Sequence, residues 1–216
     1  TLSPDPIEID NVINAVESAD GVDINGTATP GMTVTVTLGN DTLGTASTQV
    51  VADSNGNWST TFASSDIPQG TDTLDITASI TDTLGNTTTA TGSVGLDTEV
   101  NPLTIDNKGS IEGDDIITAS ERSDGVTLTG TVEPGSDVTV NFGASGPHDA
   151  TVTSSGTWSV TIPAADIPTG TTSVDIDVNA TDTAGNTSTT SHSLAIDTVV
   201  DPFTVEADQT SNDVVN

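Results

Sequence analysis

The segment Leu96-Asp97-Thr98-Glu99-Val100-Asn101-Pro102 sets three oxygen-bearing side chains, those of Asp97, Glu99 and Asn101, at alternate positions. It returns as Ile196-Asp197-Thr198-Val199-Val200-Asp201-Pro202, which keeps acids at Asp197 and Asp201. Carboxylate and amide oxygens are ligands for hard cations, and Ca2+ accepts about six to eight of them in flexible geometry. Each segment closes on a proline, which fixes its own φ and holds the preceding residue extended. The segment is therefore a stiff connector, unlike a Gly/Ser tether, and it places cation ligands at the seam between whatever it joins.

What it joins is read from repetition. Gly26, Pro30 and Gly31 return as Gly130, Pro134 and Gly135. Trp58, Ile67-Pro68, Gly70, Asp82, Gly85-Asn86 and Asp97 return as Trp158, Ile167-Pro168, Gly170, Asp182, Gly185-Asn186 and Asp197. The first copy is longer in a hairpin around Gly39 to Gln49, and the second carries extra residues around Gly109 to Asp114. Residues 1–100 read as one repeat and 101–200 as a second. Residues 201–216 read as a linker and the first strand of a third, because Asp213-Val214-Val215-Asn216 matches Asn11-Val12-Ile13-Asn14. The chain is expected to be an excerpt of a longer protein.

Within a copy the hydrophobic period is two. Val34, Val36 and Leu38 alternate with Thr33, Thr35 and Thr37, and Leu74, Ile76, Ala78 and Ile80 share one face. Such alternation marks strands with one buried face. Pro30-Gly31, Asn55-Gly56, Pro68-Gln69-Gly70 and Leu84-Gly85-Asn86 supply the turns. The runs predict strands at about 7–13, 22–28, 32–38, 47–53, 57–63, 73–81 and 88–96, with a short helical turn over 12–18. The fold class is all-β: two tandem immunoglobulin-like, seven-stranded β-sandwich domains in line.

Traced up and down such a sandwich, the loop of Asp182 and Asn186 falls beside the incoming connector. The segment of Glu17 and Asp20 falls at the same connector, from the exit end of the first copy. One junction can thus collect Glu17, Asp20, Asp97, Glu99, Asn101 and Asp182. The next would collect Glu121, Asp124, Asp197 and Asp201, and Asp82 with Asp5 would face a preceding unit. Plainer roles stay open: Asp82 and Asp182 as turn caps, Glu17 and Glu121 as solvated helix-end charges. Asp53-Ser54-Asn55-Gly56-Asn57 looks like half a Ca2+ loop but lacks the closing Glu, and reads as a hairpin turn.

The whole chain carries 32 acidic against 2 basic residues, a formal net charge of −30. Nucleic acid and anionic membrane surfaces require a basic face and are excluded as partners. With no cysteine, disulfides and thiol chemistry are excluded too, and no apolar run approaches a membrane span.

The string Asn11-Val12-Ile13-Asn14-Ala15-Val16-Glu17, then Gly26-Thr27, Pro30-Gly31, Gly56-Asn57-Trp58 and Thr81-Asp82-Thr83-Leu84-Gly85-Asn86, resembles the bacterial Ig-like repeats of giant RTX and biofilm-associated surface adhesins. The resemblance covers both copies and departs at Thr118, where the first copy has Asn14. It implies a secreted, bacterial cell-surface protein with many such domains in series, stiffened by Ca2+ and holding a ligand-binding tip away from the cell. The expected partners are neighbouring repeats of the same chain, in a monomer with no small-molecule substrate. Catalysis has no motif, since His148 and His192 lack counterparts in the first copy. The rival reading is a module that binds ice or carbohydrate through threonine rows such as Thr33, Thr35 and Thr37. The matching positions Asp137, Thr139 and Asn141 do not keep that row.

Overall fold

The computed structural model describes residues 1–3, 5–100, 102–200 and 202–204. The alternating runs become strands that wrap two separate hydrophobic cores. Around the first lie β1 (Val12–Ile13), α1 (Ala15–Asp20), β2 (Val22–Thr27), β3 (Thr33–Asn40), β4 (Gly44–Val51), β5 (Asn57–Phe62), β6 (Thr71–Thr81) and β7 (Thr87–Asp97). One sheet runs β1-β7-β6-β3-β4, and the other pairs β2 with β5. Their inward residues, Val34, Val36 and Leu38 from β3, Leu74 and Ile76 from β6, and Trp58 and Phe62 from β5, are buried together.

Around the second core lie β8 (Ile116–Thr118), α2 (Ala119–Asp124), β9 (Val126–Thr131), β10 (Asp137–Phe142), β11 (His148–Asp149), β12 (Thr151–Val152), β13 (Thr157–Ile162), β14 (Thr171–Thr181) and β15 (Thr187–Asp197). The sheets run β11-β10-β14-β15-β8 and β12-β13-β9. In each half the first strand pairs in parallel with the last: Val12 with Gly95 and Ile13 with Leu96, then Ile116 to Thr118 with Ala195 to Asp197. The architecture is all-β and immunoglobulin-like, as the periodicity indicates.

Two strands differ from the sequence expectation. The strand expected over 7–13 is confined to Val12–Ile13, because Glu8 and Asn11 take positive φ (51° and 67°) and Asp10 accepts the Val12 N–H in a local turn. The counterpart of β4 is split at Ala150: β11 pairs with β10 and β12 crosses to β13. Ala150 N–H still bonds the Val138 carbonyl on β10 before the chain crosses.

Residues 109–114, expected as an addition to the second copy, are no insertion: Asn11 N–H donates to the Ile7 carbonyl as Asp115 N–H does to that of Ile111, and Glu8 and Glu112 both take positive φ (51° and 55°). Ile111 is buried in the second core. Lys108 Nζ donates to Thr190 Oγ1 and the Ser191 carbonyl, at 3.0 and 2.8 Å, and the His192 ring meets Asp115 Oδ2 at 2.7 Å. The repeated glycine at 130 also has a structural cause. The incoming segment crosses β9 so closely that a Cβ at Gly130 would sit 1.9 Å from the Thr104 carbonyl oxygen, which also accepts the Trp158 indole N–H.

Candidate functional site

The short helix α1 begins with a reciprocal cap. Asn14 Oδ1 accepts from Val16 and Glu17 N–H, and Glu17 Oε2 accepts from Asn14 N–H at 2.9 Å. Such a box satisfies first-turn donors that a helix otherwise leaves unpaired. It also fixes the rest of Asn14, whose Nδ2 donates 3.1 Å across the chain to the Ala184 carbonyl. The Ala15 N–H donates to Asn186 Oδ1 at 2.8 Å.

The receiving surface is the β14–β15 turn. Asp182 Oδ1 accepts from Ala184 and Asn186 N–H, and Oδ2 accepts one Asn186 Nδ2 hydrogen. The same Nδ2 donates 2.8 Å to the carbonyl of Asp97, the last residue of β7. Asn186 therefore ties its own turn, α1 and the connector together with one amide. The connector is held in turn: Thr98 N–H donates to the Gly70 carbonyl and its hydroxyl accepts from Gly70 N–H. Val100 packs against the second core.

The same parts recur without this contact. The 82–86 turn has the same internal bonds, with Asp82 Oδ1 accepting from Leu84 and Asn86 N–H and Oδ2 from Asn86 Nδ2. Yet Leu84 is 87% exposed where Ala184 is 8% exposed. Asp182 and Asn186 are 7% and 6% exposed, whereas Asp82 and Asn86 lie open. Val200, the counterpart of Val100, is 92% exposed. The amide and backbone bonds of Asn86 hold the Asp82 carboxyl below its ordinary pKa.

Of the sequence-chosen residues, the seam unites the Glu17 capping box, the Asp97 backbone and Asp182. Asp97 Oδ1 accepts from Thr71 Oγ1 at 3.2 Å. Asp20 and Glu99 are exposed, and Asn101 and Asp201 lie outside the described residues. Glu121 repeats the cap of Glu17 on Thr118, whose backbone N–H and hydroxyl lower its pKa. Asp124 accepts from Ser123 Oγ, and Asp197 from Thr171 Oγ1 and Val199 N–H. Asp82 and Asp182 both cap their turns. Among the described residues no three His, Asp or Glu side chains converge as a metal cage. The donor set is nonetheless wholly oxygen, which suits Ca2+ by type. Negative charge also crowds nearby: burial first, then Glu17, Asp23 and Asp10, push the Glu8 carboxyl up.

The seam's bonds run through the amides of Asn14 and Asn186, neither of which the sequence marks as a ligand. The signal available was that Asn186 repeats Asn86 while Asn14 becomes Thr118. Asp53 is a turn cap, its Oδ1 accepting from Asn55 and Asn57 N–H. In the threonine row, Thr35 Oγ1 is engaged by Gln49 Nε2.

The family model described as bacterial Ig domain matches residues 118–197. No curated protein matches the chain. Among solved structures, a Ca2+-stabilized adhesin that helps an Antarctic bacterium reach out and bind ice is 32% identical, with TM-score 0.47, covering 90% of this chain and 48% of that one. A 1.5-MDa bacterial ice-binding adhesin, described for its retention on the host cell surface, is 27% identical, with TM-score 0.46 and coverage of 92% and 64%. An immunoglobulin-like domain of the M. primoryensis ice-binding adhesin is 33% identical, with TM-score 0.31, covering 44% of this chain and 92% of that domain. The chain thus spans 48% and 64% of the first two structures it resembles.

Proposed function

We infer that this chain, which belongs to the bacterial Ig domain family, is a structural extender segment of a bacterial cell-surface adhesin. It works as tandem Ig-like units, residues 1–100 and 101–200, with a third beginning in 201–216. The units stand in series outside the cell and project a distal ligand-binding region. The observation that carries this reading is the seam. A turn that is open at 82–86 is buried at 182–186 by the capped helix of the preceding unit, and the connecting backbone is bonded into the same contact. A contact of this kind sets the angle between units, which is what an extender needs and an independent binding module does not.

Ca2+ is the proposed stiffening ion. Glu17, Asp20, Asp97, Glu99, Asn101 and Asp182 would hold it at the central seam, with Glu121, Asp124, Asp197 and Asp201 at the next and Asp82 at the one before. It supplies positive charge that offsets crowded carboxylates in a chain of formal net charge −30. Extracellular modules bind Ca2+ at about 10⁻⁴–10⁻³ M, and Mg2+ substitutes poorly because it keeps its waters.

Solution scattering in Ca2+ and in EDTA tests the reading. The chain is expected to be extended and narrowly distributed in Ca2+, broad in EDTA, and to melt higher with the ion present. Asp97→Ala should resemble the EDTA state even in Ca2+, with circular dichroism unchanged. A distribution and a melting temperature that ignore Ca2+ would remove the ion from the mechanism. Saturable binding of ice or glycans by this chain would replace the extender with a binding module.

A further inference from the structure

We propose that the 82–86 turn is a docking surface for the capped helix N-terminus of a preceding Ig-like unit, a reading that rests on the extender assignment and specifies its joint. The turn is built for the contact before any partner arrives. Its internal bonds match those of the 182–186 turn to within 0.1 Å: 2.9, 2.8 and 2.8 Å against 2.8, 2.9 and 2.8 Å. Asp82 thus holds the Asn86 amide as Asp182 holds Asn186, so docking requires little ordering and loses little entropy.

The seated turn names the occupant. It takes a backbone N–H from the first helical residue, Ala15, an amide hydrogen from the N-cap, Asn14, and gives one hydrogen to the carbonyl that ends the last strand. The partner of the 82–86 turn must therefore offer a helix that follows its first strand directly and beside it the carbonyl that ends its last strand. Leu84, 87% exposed, stands where Ala184 is 8% exposed, so the occupant must leave room for the larger side chain. The chain's own α2 shows a variant of the occupant. Ala119 stands where Ala15 does, but the N-cap is Thr118, whose hydroxyl turns back to its own helix, so the amide bond to the turn carbonyl is lost. Seams in this architecture thus come in two grades, with an asparagine or a threonine at the N-cap.

A polypeptide of two copies fused in register, with Phe203 of the first followed by Thr1 of the second because Thr1 takes the place of Thr104 in the first strand-crossing bond, presents α2 of the first copy to the 82–86 turn of the second. With isotope labels in the second copy alone, NMR reads solvent exchange of the Asn86 side-chain amide. Docking is expected to slow it about tenfold relative to the single chain, and Thr118→Asn in the first copy should slow it further. If Asn86 exchanges as in the single chain while Asn186 remains slow, the docking proposal is overturned and the extender reading stands. If Asn186 exchanges as fast as Asn86 in the single chain, the joint itself is absent in solution and both readings fall.

Discussion

Asn186→Ala isolates the energy of the seam, because Asn86→Ala supplies its internal control. Each substitution removes one side-chain bond to the turn aspartate, Asp182 or Asp82. Only Asn186→Ala also removes the bonds to Ala15 N–H and to the Asp97 carbonyl, both 2.8 Å long. A net contribution of about 1 kcal/mol per bond gives about 2 kcal/mol across the seam. At ~1.4 kcal/mol per decade that is about a 30-fold change in the closing equilibrium. Amide hydrogen exchange of Ala15 reads this directly, since local opening sets its protection. Its protection should fall by about that factor in Asn186→Ala and stay unchanged in Asn86→Ala. Equal protection of Ala15 in wild type and Asn186→Ala would refute the idea that this amide closes the joint.

Three further outcomes test the second unit. Asp115→Asn should lower its thermal midpoint at neutral pH. Burial works against the Asp115 charge, but the Ile111 N–H and the His192 ring hold its pKa below the ordinary 3.8. The stabilisation is then complete above that value and is lost as pH falls through the depressed one, so the variant and wild-type melting curves should converge at acid pH. Gly130→Ala forces a Cβ onto the Thr104 carbonyl and should cost about 1–3 kcal/mol in denaturant unfolding, as overpacking does. Ile111→Ala should cost about 2–5 kcal/mol, whereas a segment that merely decorated the surface would lose almost nothing.

The sheets were legible because burial alternates. Val34, Val36, Leu38, Leu74 and Ile76 all reached the core on the face that period two assigns them. The shortened first strand was not, because the Asp10–Val12 turn overrides a weak alternating pattern, and the split at Ala150 leaves no mark on the alternation. At the seam, tracing the repeats brought the Asp182 loop beside Asp97 without any coordinate. It missed Asn14, whose amide looks in sequence like a simple helix cap. Nothing in one sequence says that a capping side chain has a second face in use. The difference in burial between the 82–86 and 182–186 turns was also invisible, since their internal bonds are the same and their sequences differ only at Leu84 against Ala184.

The parallel pairing of first and last strands has a mechanical consequence. When the ends of the polypeptide are pulled apart, force passes through the 1–3 segment bonded to β2 and then loads β1 against β7, in opposite directions on neighbouring strands. Their hydrogen bonds are then strained together, in shear, rather than opened one at a time like a zipper. The second unit presents three such residue pairs, Ile116 to Thr118 against Ala195 to Asp197, where the first presents two. Pulled at its two ends, the chain is expected to lose the first unit before the second.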